Sequence, residues 1–242
     1  MKKVFCKMAL TAVLALTTLL TGCKAPSSGG GGGNSGGGSA YNPPEKNIPL
    51  TLEAIADGQI TFDDLDRITN LKYKLNDGEL TAATDSGISV SQNDIVTFFG
   101  EGTNNTWLSK FTINCSSDCY VYGNVMSLLT EDYQTATEIT QDRAFECLFY
   151  DNSHIKNHPS KNIVLPATTL AEDCYVCMFY HCTSLNKVEC LATDVSAEDC
   201  TTSWLSGVAS SGTFIKASGN DKAFTQKLSV PGRHYEPALF ID

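Results

Sequence analysis

Residues 165–174 read LPATTLAEDC, and residues 191–200 read LATDVSAEDC. The two segments end on the same Ala-Glu-Asp-Cys and are separated by an offset of 26 residues. A more divergent copy becomes visible when AFECLFY at 144–150 is aligned with CYVCMFY at 174–180, at an offset of 30. An insertion around residues 157–160 accounts for the longer offset. A period of this length is typical of arrays in which each unit buries an apolar ridge against its neighbours.

Each unit of this repeat is predicted to contain a short extended segment, a polar turn and a short helix. The extended segments are residues 162–165, 187–191 and 213–216. In the helical part of the second unit, Cys174, Cys177, Met178 and Phe179 have spacings that can share one helix face, and Leu185 closes the turn. The simplest interpretation is that these side chains form the core of the array.

The second half of the chain resembles a known family. The run MFYHCTSLNKV at 178–188, with LPATT at 165–169 before it, resembles the BspA-like leucine-rich repeats found in surface lipoproteins of host-associated anaerobic bacteria. The segment from 190 to 217 is similar to the terminal repeat of such arrays. The resemblance covers about residues 137–217 and implies a short solenoid. Three units are about the minimum for a self-supporting array, so we expect it to pack on the preceding domain through residues 125–129.

The preceding segment, residues 47–124, consists of short β-prone stretches separated by turn residues such as Asn76-Asp77-Gly78. This pattern predicts a small antiparallel β-sandwich-like domain. Strands are predicted at residues 49–56, 71–75, 87–90, 95–99, 111–114 and 119–122. The expected fold class is therefore α+β, with this domain followed by a BspA-type leucine-rich-repeat solenoid at 125–217. The tail at 218–242 departs from the usual ending of the family and has no assignment.

Residues 1–22 read as a signal peptide. Three lysines lie within the first seven residues, and the apolar stretch at 8–20 is only 13 residues long, shorter than the about 20 residues that span a bilayer. The stretch ends in LTGC at 20–23, which resembles a lipobox and implies that Cys23 is lipidated. The alternative is an ordinary signal peptide with a chance cysteine.

Residues 23–46 are a lipidated cysteine followed by a Gly/Ser/Pro-rich linker. A flexible linker of this kind would reach roughly 26 Å. The whole chain has 17 Lys and Arg against 27 Asp and Glu, and its net charge of −10 argues against nucleic acid as a partner. We therefore expect the lipid at Cys23 to hold the protein in the cell envelope, at the outer membrane or the cell surface.

The chain has ten cysteines, of which Cys6 leaves with the signal peptide and Cys23 carries the lipid. The even number that remains could form disulfides, but buried free thiols at repeat positions explain them as well. Cys115 and Cys119 flank a short turn and are the best candidates for a disulfide. Cys174-x-x-Cys177 could also be half of a zinc site or a redox pair.

A second metal-binding pair at a suitable spacing is missing from the sequence, because the nearest, His154-x-x-x-His158, comes before Cys174 in the insertion loop. The sequence therefore predicts no metal ion and no cofactor.

Catalytic signatures are equally weak. The sequence contains no Gly-x-Ser-x-Gly, His-Glu-x-x-His or phosphate-binding glycine loop. The acidic pairs Asp63-Asp64 and Glu198-Asp199 are typical of solvated turns, and His181 is a lone histidine. We therefore expect no catalytic residues and no enzyme activity.

Two functions remain, both for a protein expected to be a monomer. The first is a non-catalytic, adhesin-like module that contacts a host or bacterial surface protein or a glycan, as the resemblance implies. The second is a periplasm-facing structural or carbohydrate-binding accessory lipoprotein. An exposed Trp107, in the loop at 104–109, would favour glycan stacking, whereas the alternative makes it a loop anchor packed on the sheet.

Overall fold

β-Strands carry most of the regular structure in this computed structural model, which describes residues 42–217. The predicted signal peptide, Cys23, most of the linker and the tail at 218–242 lie outside the described residues. The strands are β1 (Thr51–Ala54), β2 (Gly58–Asp63), β3 (Lys72–Leu75), β4 (Thr81–Ala82), β5 (Ile88–Val90), β6 (Ile95–Phe99), β7 (Thr112–Cys115), β8 (Cys119–Asn124), β9 (Ile155–Asn157), β10 (Ile163–Leu165), β11 (Lys187–Cys190) and β12 (Thr213–Lys216). Short 3-10 turns lie at Pro44–Asn47, Leu65–Arg67 and Val125–Leu128.

A large mixed sheet has the strand order β12-β11-β10-β8-β1-β6-β3-β4, with β9 also paired to β8. Its antiparallel part is β1, β3, β4, β6 and β8, in which Thr51 of β1 lies opposite Tyr122 of β8. Its parallel part is β8, β9, β10, β11 and β12, in which Ile163 of β10 lies opposite Gly123 of β8. The strand β8 therefore belongs to both parts.

A smaller antiparallel sheet, β5-β2-β7, packs against the large one. In β2 the apolar side chains of Ile60 and Phe62 alternate with more exposed neighbours, as expected for a half-buried strand. The ring of Phe62 meets Phe98 of β6 edge-on at 6.2 Å and stacks on Phe111 at 6.0 Å between ring centroids. This aromatic cluster joins the two sheets.

The predicted α+β class with a leucine-rich-repeat solenoid is wrong. The described part of the chain contains no α-helix, and the helix expected around Cys174 to Phe179 is a run of turns. The strands β10, β11 and β12 do not form a separate array after a β-sandwich, since β10 pairs directly with β8. They extend one nine-stranded sheet that crosses the predicted domain boundary at 124/125.

The turns form three stacked layers, which we call layer 1 (143–152), layer 2 (173–182) and layer 3 (199–207). In every layer a positive backbone φ recurs at each fourth residue: Arg143, Cys147 and Asp151, then Asp173, Cys177 and His181, then Asp199, Ser203 and Gly207. Between these positions, N–H groups bond to carbonyls three residues back, as from Tyr150 to Cys147 at 3.0 Å. The chain therefore makes consecutive tight turns instead of a helix.

In layers 1 and 2, the N–H groups that do not close these turns donate to carbonyls of the next layer. In layer 1, Phe145, Cys147 and Phe149 donate to the carbonyls of Cys174, Val176 and Met178 at 2.8–2.9 Å. Layer 2 donates to layer 3 in the same way, as from Tyr175 to Cys200 at 3.0 Å. Along each of these layers, successive backbone N–H groups alternately close a turn and donate to the neighbouring layer. The backbone is therefore hydrogen-bonded without forming a helix or a strand.

Side chains at equivalent positions of the layers stack on one another. The rings of Phe149 and Phe179 are 5.8 Å apart and within 7° of parallel, and both are fully buried. Phe145 and Tyr175, also at equivalent positions, stack at 5.9 Å between centroids, and Trp204 of layer 3, three residues beyond the equivalent position, continues this buried column at 6.0 Å from Tyr175. These columns are the core of the second half of the chain.

Candidate functional site

The most exposed aromatic ring in the described residues is that of Trp107, which is 72% exposed. It lies in the loop between β6 and β7, next to Leu108, which is 99% exposed. The guanidinium carbon of Arg143 lies 3.7 Å from the centroid of the Trp107 ring, a cation–π contact. Trp107 is therefore held at the surface by an arginine of layer 1, and it is not a loop anchor buried on the sheet.

The loop that carries Trp107 is fixed to layer 1 by hydrogen bonds. The side-chain amide of Asn105 donates to the carbonyl of Arg143 at 2.9 Å, and its oxygen accepts from the N–H of Phe111 at 3.0 Å. The hydroxyl of Thr103 donates to the carbonyl of Ala144 at 3.1 Å. The loop is thus attached to layer 1 on the N-terminal side of Trp107, and the Asn105–Phe111 hydrogen bond closes it around the indole.

Arg143 is itself held by a network of ion pairs. Its guanidinium contacts Asp173 Oδ2 at 2.5 Å and Glu146 Oε2 at 3.4 Å, and Lys110 Nζ lies 3.1 Å from Glu146 Oε1. The carboxylates are nearly buried, with side-chain exposures of 2% for Glu146 and 7% for Asp173. Two cations therefore balance two anions, which is the condition under which charges are tolerated in an interior.

Two tyrosines, the exposed Tyr150 and the half-buried Tyr180, form a column at the far end of the layers. The rings of Tyr150 and Tyr180 are 5.0 Å apart and within 6° of parallel, and Tyr150 is 42% exposed. The ring of His181 stacks on Tyr180 at 4.0 Å, and its Nδ1 lies 3.4 Å from Asp151 Oδ1. We call Tyr150, Tyr180 and His181 the tyrosine column.

Cys147 and Cys177 lie between the Arg143 network and the tyrosine column. They occupy the same position of layers 1 and 2, with φ values of 60° and 52°. A hydrogen bond from the Cys147 thiol and the nearby charge of Lys110 lower the pKa of Cys177 to about 7. The same hydrogen bond, with burial, raises the pKa of Cys147.

The Cys174-x-x-Cys177 spacing does not bring those two thiols together in the structure. Cys174 is fully buried and its Sγ lies 3.8 Å from the carbonyl oxygen of Cys200, while Cys177 has Cys147 as its thiol partner. Burial raises the pKa of the Cys174 thiol. The short spacing in the sequence therefore indicated the wrong pair.

Cys115 and Cys119, the best candidates for a disulfide, are both buried and are free thiols in the structure. They lie at the end of β7 and the start of β8 with their thiols in hydrogen-bond contact, which lowers the pKa of Cys115 and raises that of Cys119. The two candidate cysteines therefore lie side by side, as their positions on either side of a short turn indicated.

The acidic pairs from the sequence serve local structure. Asp63 Oδ2 accepts from the Asn114 amide at 2.8 Å, Asp64 Oδ2 accepts from the N–H of Lys110 at 3.1 Å, and Asp199 Oδ1 accepts from the Thr202 hydroxyl at 2.9 Å. The partners of these three carboxylates are thus a side-chain amide, a backbone N–H and a threonine hydroxyl.

The two histidines of the insertion loop have separate partners. His154 Nδ1 lies 3.1 Å from Asp118, whereas His158 Nδ1 accepts from the N–H groups of Ser160 and Lys161 at 3.1 Å. Within residues 42–217, no group of three or more His, Cys, Asp or Glu side chains is arranged to hold a metal ion. No helix in that range has the length and apolar character needed to cross a membrane.

No family model and no curated protein matches this sequence, and no solved structure matches the fold. The resemblance to BspA-like repeats therefore stays a prediction.

Proposed function

We propose that this protein is a non-catalytic, lipid-anchored binding protein of the cell envelope whose contact sites are Trp107 and, at the other end of the layers, the tyrosine column. The ligand is a neutral glycan. The observation that carries the proposal is the Trp107 ring, exposed to 72% and yet fixed by the guanidinium of Arg143. An indole in this position contributes little to the core, so its placement favours a role in contact with a ligand.

Aromatic rings suit glycan binding because a large apolar face can be buried against the C–H face of a sugar, while polar groups at the rim bond to its hydroxyls. Here the rim groups are supplied by Asp151 and His181 beside the tyrosines. Because Arg143 already holds Trp107 in one orientation, little conformational entropy is lost on binding.

The charge of the protein favours a neutral ligand. The net charge is −10, so an acidic polysaccharide would be repelled at low salt. The cations near Trp107 do not change this expectation, because Lys110 and Arg143 are already paired with Glu146 and Asp173.

The test is affinity electrophoresis of the full chain in gels that contain soluble xylan, galactomannan or mixed-linkage glucan. We expect retardation in at least one gel and a loss of binding of at least about tenfold in Trp107→Ala, which corresponds to about 1.4 kcal/mol. Leu108→Ala is the matched control, because Leu108 is the neighbouring apolar side chain, still more exposed than Trp107 but without an aromatic ring. Equal retardation of Trp107→Ala and the unchanged protein would overturn the glycan assignment.

A second candidate ligand is a protein surface, favoured by the 99% exposure of Leu108 next to Trp107. Two adjacent exposed apolar side chains suit insertion into an apolar pocket of a partner. An assay that measures adhesion of protein-coated beads to intact bacterial or host cells distinguishes the protein ligand from the glycan. Inhibition by the neutral polysaccharide supports the glycan, and sensitivity to Leu108→Ala without such inhibition supports the protein.

The location is tested separately with protease treatment of intact cells that carry an epitope after Asp242. A surface protein is cleaved on intact cells, and Cys23→Ala releases or mislocalises it. If the chain is protected until the envelope is broken, the contact sites face the periplasm and the accessory role replaces adhesion.

A further inference from the structure

Cys147 and Cys177 are stacked in adjacent layers in a way that suits a disulfide. The N–H of Cys147 donates to Val176 and that of Cys177 donates to Thr202, so both residues hold the same place in their layers. The neighbouring column of Tyr150 and Tyr180 has a ring separation of 5.0 Å. Cα atoms of cystines are usually about 4.4–6.8 Å apart, and a layer spacing of this size falls in that range.

Solvent access distinguishes this pair from the other thiols. Of the eight free cysteines in residues 42–217, seven are buried and Cys177 alone is half-buried. The Cys115–Cys119 pair, also in thiol contact, has both members buried. A small molecule can therefore reach Cys177 more readily than any other described thiol.

The surroundings of Cys177 also favour its thiolate. The hydrogen bond from Cys147 and the positive charge of Lys110 act together to lower its pKa. Thiolates, and not thiols, are the attacking species in disulfide exchange. Cys177 thus combines access with reactivity, and Cys147 lies within reach of it.

We propose that Cys147 and Cys177 are a redox-active dithiol that reduces low-molecular-weight disulfides, with Cys177 as the attacking and Cys147 as the resolving thiol. The Cys177 thiolate attacks one sulfur of the small disulfide, forms a mixed disulfide and releases the first small thiolate. Cys147 then loses its proton to solvent, attacks the Cys177 sulfur and releases the second.

The exchange is balanced, since two protein thiols lose two electrons and one small disulfide gains them. It is stoichiometric, with one small disulfide reduced per chain. The product, a Cys147–Cys177 bond, covalently joins layer 1 to layer 2. This proposal does not rest on the glycan proposal, although the two cysteines lie between the Arg143 network and the tyrosine column.

The test uses the full chain with Cys6→Ser and Cys23→Ser, so that only the eight described cysteines react. The probe is 5,5′-dithiobis(2-nitrobenzoate), whose released thiolate is followed by absorbance. We expect a fast phase of two released thiolates per chain. Cys147→Ser should release only one in that phase, and Cys177→Ser none.

Cys174→Ser is the matched control and should leave the fast phase unchanged. Peptide mapping of the oxidised unsubstituted pair should recover residues 147 and 177 in one cross-linked product, which tests the proposal even if a variant does not fold. A fast phase that persists in Cys177→Ser, or a cross-link that joins Cys115 to Cys119 instead, would overturn it.

Discussion

Most substitutions of buried side chains lower the free energy of unfolding, but removal of the buried Tyr175 hydroxyl is expected to raise it. The Tyr175 side chain is fully buried between Phe145 and Trp204, and its hydroxyl has no hydrogen-bond partner among the described residues. Burial raises the pKa of this hydroxyl well above its ordinary value, so the group stays neutral. Replacing it by a hydrogen atom should therefore stabilise the protein.

The magnitude follows from the cost of a buried hydroxyl without a partner, which is about 1–3 kcal/mol. Tyr175→Phe removes the hydroxyl and keeps the ring and both stacking contacts. Phe145 already occupies the equivalent position of layer 1, so a phenylalanine fits this column. We expect the free energy of unfolding to rise by about 1 kcal/mol, or a Tm increase of about 2–4 °C for a domain of this size.

The assay is urea unfolding of the full chain followed by circular dichroism, with Tyr133→Phe as control. The Tyr133 hydroxyl donates to the carbonyl of Asn47 at 3.2 Å, so its removal should cost about 1 kcal/mol. The two Tyr→Phe changes are thus expected to have opposite signs. A loss of stability in Tyr175→Phe as large as that in Tyr133→Phe would refute the reasoning.

Three further predictions concern the layers. Phe179→Ala removes a fully buried ring that stacks on another ring, and it should lower the free energy of unfolding by about 3–5 kcal/mol. Tyr150→Ala removes an exposed ring and should lower it by less than about 1 kcal/mol, a difference that urea unfolding of both variants measures. Arg143→Met leaves two nearly buried carboxylates without their guanidinium, and it should lower the free energy of unfolding by about 3 kcal/mol in the same assay. A decrease of less than about 1 kcal/mol would show that the ion-pair network does not stabilise the fold. Because the pKa of Cys177 is lowered from 9.0 to about 7, its alkylation by iodoacetamide should rise with pH to a midpoint near 7 and then level off; a midpoint near 9 contradicts the assigned surroundings.

The strands were largely predictable from the sequence. The expected strands at 95–99 and 213–216 have the same bounds in β6 and β12, and most others agree within a few residues. The strand β2 was missed because Asp57-Gly58 reads as a turn, although Gly58 begins the strand. The strand β9 was missed because its residues lie in the predicted insertion loop.

The prediction of helices in the repeat units was wrong for a physical reason. Consecutive four-residue turns repeat buried positions every four residues, as in Cys174, Met178 and Cys182, and a helix repeats them every 3.6. Over ten residues the two periods are nearly indistinguishable. Eight of the nine left-handed positions that distinguish them, such as Asp173 and Cys177, are filled by residues other than glycine, and Gly207 is the exception.

The site was only partly visible in the sequence. Trp107 was recognised from its loop, and the tyrosine pair was present as the shared last residue of AFECLFY and CYVCMFY. The charged network was not recognised, because Lys110, Glu146 and Asp173 are far apart in the chain and only the topology brings them together.

The position of β8 determines where this chain can be cut. One edge of β8 pairs with β1, and the other pairs with β9 at Cys119 to Val121 and with β10 at Gly123 and Asn124. A fragment that ends at residue 129 would keep the first edge covered and open the second, with a row of unpaired backbone donors and acceptors. Open edges recruit strands from other molecules, so such a fragment would aggregate. Because β10 pairs in turn with β11, and β11 with β12, a shortened form of this protein needs to keep the chain through β12.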